Sequence, residues 1–255
     1  MKPIAIVLMA FIPFNLLAQV DEPSGMRIEL RENAVEFHIE NSDTGKVLVI
    51  PRFQNPIKNV YLKSDPQKTN LRLKPGISKW EIHSTKNYAL KSVVVMETVG
   101  RPHLDPEPVV YSPNDKGEIV LPAHGAVVHG AKLRYEPQPH KNTVGYWQNE
   151  DDWCEWKFSS PVNSTYQIYL LQGCGKGQGG SVVRCQIGNH QVEFKVEDTG
   201  HFQNFKERLI GEILIESGKD LSVSLIPLNK AKAAVMDVRQ LRLVPKKSNA
   251  SDKDR

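Results

Sequence analysis

Apolar and polar residues alternate one by one through most of this chain, in short runs broken by turn formers. From Met26 to Arg101 the runs read MRIELREN, AVEFHIEN, KVLVIP, KNVYLKS, NLRLKPG, ISKWEIHS and YALKSVVVMET. Asn41-Ser-Asp, Asn55-Pro, Ser64-Asp-Pro and Pro75-Gly separate them, about every eight to twelve residues, the spacing of a small all-β sandwich. A period of two puts successive side chains on opposite faces of a sheet, and no stretch carries a 3.6-residue apolar period. The same alternation resumes near Gly117 and runs to Val244. The pattern therefore predicts an all-β chain of two β-sandwich modules, 26–101 and 117–245. Between them RPHLDPEPVVYSPND carries four prolines, so 102–116 reads as a stiff connector whose modules fold independently. Residues 246–255 are charged, lack large apolar side chains and read as a disordered tail.

The first residues break the pattern and set the expected compartment. Lys2 is followed by an almost unbroken apolar run, Ile4–Phe14, and then Leu16-Leu17-Ala18 before the chain turns polar at Gln19. That run is too short to span a bilayer and reads as a signal peptide, 1–18, giving a secreted or periplasmic protein. No later segment is apolar enough for a membrane span. Of 255 residues, 33 are basic and 29 acidic. The resulting net charge of +4 sits partly in the tail and gives no footprint for nucleic acid. Three cysteines, Cys154, Cys174 and Cys185, exclude a disulfide-dense scaffold. One pair could bridge, or all three could be buried thiols.

The chemistry-bearing residues point away from catalysis. Glu150, Asp151 and Asp152 form an acidic run beside Trp153, but neighbours on a strand point to opposite faces, so Asp151 and Asp152 cannot both address one sugar. The eight histidines make no HxH or HxxxH pair, and their spacing suggests no zinc site. No GxSxG elbow is present. The glycine-rich LQGCGKGQGGS (171–181) lacks the phosphate-loop spacing and reads as a loop that lets backbone approach a ligand or a neighbour.

Aromatic residues remain, because a flat ring can stack on the C–H face of a sugar. They concentrate in GYWQNEDDWCEW (145–156) and DTGHFQNF (198–205), followed by AAVMDVRQLRL (233–243). Alternation places Trp153, Glu155 and Lys157 on one face, and Cys154, Trp156 and Phe158 in the core. Tyr146 and Trp147 precede that strand in a polar loop and are the preferred ligand contacts, with Trp153 at the strand's start either core-edge or part of the site.

The order of these three phrases resembles the family 6 carbohydrate-binding modules and their galactose-binding-like relatives, over 124–245. The resemblance implies a galactose-binding-like jelly roll for the second module and a stacking role for Phe202. It also implies a structural Ca2+ near the first and last strands, where Glu136 and Asp237 are the candidate metal ligands. Those modules often place an asparagine where this chain has Val235, so Lys230 or Lys232 is the expected substitute toward hydroxyls. The first module, through KVLVIP, NVYLKS and VVVMET, is similar to the C-terminal sandwich of family 29 α-L-fucosidases. In those enzymes a preceding barrel does the chemistry, and only about 25 residues precede the sandwich here. The expectation is an exported, non-catalytic carbohydrate-binding accessory protein with a polysaccharide or glycan as partner. Alternatives are a fucosidase-like accessory chain serving a glycoside hydrolase on another chain, and a structural or protein-binding sandwich.

Overall fold

The computed structural model describes residues 25–41, 45–104 and 108–246. The expected signal peptide and all of the expected tail except Lys246 lie outside the described residues. Within them every regular element is a strand apart from one 3-10 turn at Ala123–Gly125, and no helix is long and apolar enough to cross a membrane. The all-β class read from the alternation is the class of the fold.

Seven strands build the first sandwich: β1 (Met26–Leu30), β2 (Ala34–Ile39), β3 (Val47–Pro51), β4 (Ile57–Leu62), β5 (Arg72–Pro75), β6 (Lys79–His83) and β7 (Val93–Thr98). They form an antiparallel sheet in the order β1-β2-β7-β4 and a second in the order β3-β6-β5. Inward positions such as Phe37, Ile50, Trp80, Ile82, Val94 and Met96 are fully buried. The rings of Phe37, Phe53 and Trp80 follow one another at 6.3 and 6.4 Å, within the range of favourable tilted contacts.

Short strands open the second sandwich: β8 (Val110–Tyr111), β9 (Ile119–Pro122), β10 (Val127–His129), β11 (Arg134–Glu136) and β12 (Thr143–Gly145). Longer ones complete it: β13 (Trp153–Ser160), β14 (Ser164–Cys174), β15 (Val182–Ile187), β16 (His190–Lys195), β17 (His201–Ile215), β18 (Gly218–Asn229) and β19 (Asp237–Pro245). One sheet runs β10-β13-β18-β15-β16, with β8 added parallel to β13; the other runs β11-β12-β19-β14-β17, with β9 on β19. From β13 onward the chain crosses repeatedly between the two, the double-sheet jelly-roll arrangement. β13 keeps its expected alternation: Cys154, Trp156 and Phe158 are buried, while Trp153, Glu155 and Lys157 are half-buried on the outer face. Cys154 and Cys185 flank Leu225 on β18 from opposite sides. All three cysteines are buried free thiols, and burial pushes Cys174 up to about 11 and Cys185 to about 12.

The segment expected to be only a connector contributes β8, and the two sandwiches share one continuous apolar cluster. Trp80 of the first packs at 6.3 Å from Tyr135 of the second. Arg52 is buried at the junction, donates to the Ala126 carbonyl at 2.8 Å and lies 5.9 Å from the Tyr135 ring centre. The Ile57 N–H donates to Pro137 O at 3.1 Å, so backbone pairing also crosses the junction.

His124 lies against this junction, its ring edge toward Tyr135 at 6.4 Å and its Nδ1 buried without a hydrogen bond. Burial, then the charge of Arg52, pulls it down to about 4. The unfolded chain, with an ordinary histidine, binds this proton first as pH falls, so the group's contribution to stability is present above its unfolded pKa and lost as pH falls toward 4. Between about pH 7 and pH 5 the expected loss is about 2 kcal/mol. Urea unfolding of His124→Phe beside the parent protein checks this: the parent's stability should fall more steeply with acid, and parallel slopes would contradict it.

Candidate carbohydrate site and cation centre

Four loops converge at one end of the second sandwich. The Val235 N–H donates to Trp147 O at 2.9 Å, joining the loop after β12 to the one before β19. Ala231 and Ala233 N–H groups donate to Ser181 Oγ and Gln178 Oε1, both at 3.1 Å, tying the lysine-bearing loop to the glycine-rich one. Thr199 Oγ1 accepts from Cys174 N at 2.8 Å, anchoring the turn before β17.

At this end the tandem aromatics take opposite roles. Trp147 was expected to contact ligand, but its indole is fully buried and its Nε1 donates to Asp152 O at 2.8 Å. Its polar sequence neighbours conceal that the loop turns inward at this residue. Tyr146 points out instead, 44% exposed, with a left-handed φ of 59°. That conformation is uncommon for a bulky residue, costs of order 1–3 kcal/mol, and gathers at functional sites. The Arg134 guanidinium sits 3.7 Å from the ring centre, a contact distance for a cation over an aromatic face. No sequence motif marks Arg134; only the β11–β12 register, which sets it opposite Gly145, brings it to Tyr146.

Phe202 is half-buried at the start of β17. A Cβ on Gly175 would come within 2.6 Å of its ring, so glycine at 175 is what lets the phenyl lie flat on the backbone. Trp153 is separate: it lies on the outer face of the other sheet, stacked on His129 at 3.8 Å with 10° between planes. Lys232 is exposed, and its carbonyl accepts from Lys230 Nζ at 3.2 Å. The structure therefore brings Tyr146, Phe202 and Lys232 to the loop end, and takes Trp147 into the core and Trp153 to a sheet face.

Asp152, the last member of the acidic run, is buried, its carboxylate accepting from the N–H groups of Ala131, Lys132 and Leu133 at 2.7–2.9 Å. Burial opposes its ionisation, yet these donors prevail and hold it below the usual carboxylate range.

Beneath Tyr146 lies the carboxylate pair. Glu136 and Asp237 are both buried, and a Cβ on Gly145 would stand 3.0 Å from Glu136 Oε2 and 2.8 Å from Asp237 Oδ1. Both acids thus address one point over Gly145. Lys141 Nζ neutralises one of them, 2.7 Å from Glu136 Oε1. Burial, then the charge of Glu136, pushes Asp237 up to about 8. The Gln203 side chain hydrogen-bonds Asp237, and the charges of Lys141 and Arg239 lie near it, yet the carboxyl stays raised; a buried pair of carboxylates of this kind fits a hard cation such as Ca2+, whose charge would favour the ionised form of both.

No family model and no curated protein matches the sequence. Among solved structures, the C-terminal family 6 carbohydrate-binding module of a marine laminarinase from Zobellia galactanivorans is similar over 50% of this chain and 98% of its own, at 16% identity and a TM-score of 0.42. A family 35 carbohydrate-binding module from Clostridium thermocellum is similar over 51% of this chain and 98% of its own (14% identity, TM-score 0.42). An α-L-fucosidase from a Vibrio strain covers 84% of this chain, which spans 38% of the enzyme (13% identity, TM-score 0.37).

Proposed function

We propose that the protein is an exported, non-catalytic carbohydrate-binding accessory protein whose site is the loop end around Tyr146. The observation that carries this is Tyr146 itself. Its backbone is held in a costly conformation, its ring is exposed, and a guanidinium stacks against it. A ring so presented offers an apolar platform to a sugar's C–H face, while Arg134 and Lys232 offer N–H donors to its hydroxyl oxygens. The non-catalytic part rests on Asp152, whose carboxylate is committed to backbone donors in the interior. The accessory role beside a glycoside hydrolase on another chain follows the sequence resemblance of the first module. Tyr146→Ala is expected to weaken polysaccharide binding by about 1–3 kcal/mol while the melting temperature moves by no more than about 4 °C, because alanine keeps the left-handed backbone and only an exposed ring contact is lost, read by affinity electrophoresis and thermal melts. Unchanged retention in the gel would sink the assignment.

Within the same reading Glu136 and Asp237 hold a structural Ca2+ that fixes Gly145 and so the base of Tyr146. Ca2+ at about a hundred times its Kd should stabilise the protein by about 2.7 kcal/mol. Asp237→Asn should remove most of that gain. A melting temperature indifferent to Ca2+ and to chelator would exclude the ion.

A further inference from the structure

The first sandwich carries a second cluster of metal-ligating side chains that the carbohydrate reading does not use. Glu29 on β1 and Glu36 on β2 are direct cross-strand partners, and His38 lies two residues beyond Glu36 on the same face. Like charges directly opposite one another destabilise a strand pair unless a cation lies between them. The inner oxygens, Glu29 Oε2 and Glu36 Oε2, each lie 3.6 Å from His38 Nε2. One donor atom from each of the three residues falls within a 4.8 Å sphere of mutual distances. His38 Nε2 is buried and makes no hydrogen bond.

The outer oxygens are held in place by other groups. Arg27 bonds Glu29 Oε1, and Lys63 Nζ bonds Glu36 Oε1 at 2.8 Å. Such outer partners orient metal-ligating carboxylates. The inner oxygens meet a single guanidinium, that of Arg31, which contacts Glu29 Oε2 and lies 3.0 Å from Glu36 Oε2. Arg31 is on the turn after β1, its side chain 52% exposed and free to swing into solvent.

We propose that Glu29, Glu36 and His38 form a site for a divalent transition metal of the Zn2+ type, with Arg31 standing in for the ion when none is bound. Donors at zinc–ligand distances around a tetrahedral ion lie about 3.4 Å apart; the two carboxylate-to-imidazole spacings here are 3.6 Å and all three donors lie within 4.8 Å of one another, so side-chain rotation closes the set. Water completes the coordination. A histidine that served only the ion-pair network would direct Nε2–H to a carboxylate at hydrogen-bond distance, which this one does not.

The test is calorimetric titration of the whole chain with Zn2+ near neutral pH, in excess Ca2+ so that the Glu136–Asp237 centre is filled. One equivalent should bind at this cluster. His38→Ala should weaken that binding by about tenfold or more. Arg31→Ala should strengthen it severalfold, because the competing guanidinium is gone. If His38→Ala does not fold, Glu29→Gln and Arg31→Ala decide the question. Zn2+ affinity and stoichiometry unchanged in the ligand variant, or weaker binding by Arg31→Ala, would overturn the site and leave the carbohydrate reading untouched.

Discussion

Trp147→Ala should lose about 3–5 kcal/mol of folding stability, as much as Trp156→Ala, although its sequence surroundings look like a ligand loop. Both indoles are wholly buried, and both donate Nε1–H to backbone carbonyls, at 2.8 Å to Asp152 O and 2.7 Å to Pro122 O. Truncation of Trp147 leaves a cavity and takes the indole donor from the carbonyl of Asp152, the residue whose carboxylate holds Ala131–Leu133. Urea midpoints give the comparison. A Trp147→Ala protein as stable as its parent but deficient in glycan binding would return the residue to the surface and undo the loop-end geometry.

The second large effect concerns the junction. A chain cut to 117–245 should be less stable than the whole by about 3–5 kcal/mol, lowering its melting temperature by about 10–20 °C. The cut removes Trp80 from Tyr135, Arg52 from the Ala126 carbonyl, and β8 from β13. It also exposes apolar surface that the shared cluster covers. Calorimetry of both forms decides it; coincident melting would mean that the modules stand alone across their proline-rich segment.

These two cases mark where the sequence was legible. Period-two alternation located all seven strands of the first sandwich, and on β13 it sorted core from surface residue by residue, because half-buried strands have no other way to satisfy both faces. Alternation stops at Gly145, and beyond it the reading of Tyr146 and Trp147 had no rule to follow. Trp147 turns inward only because Tyr146 adopts a left-handed backbone, which no residue type there announces. Pairing across distant strands was invisible for the same reason. Arg134 reaches Tyr146, and Glu29 reaches His38, only through register. The carboxylates at 136 and 237 were located by resemblance, while their meeting over Gly145 required the fold. The proline-rich segment hid its β8 contribution, since two residues are too few to show a period.

The most direct test of the central claim is binding of the whole chain to a panel of polysaccharides, with Tyr146→Ala run beside it. The account predicts retention on at least one polysaccharide, lost or sharply weakened in Tyr146→Ala while the variant stays folded and melts within about 4 °C of the parent. Retention on none of the panel, or equal retention of both proteins, would contradict a carbohydrate site at this loop end.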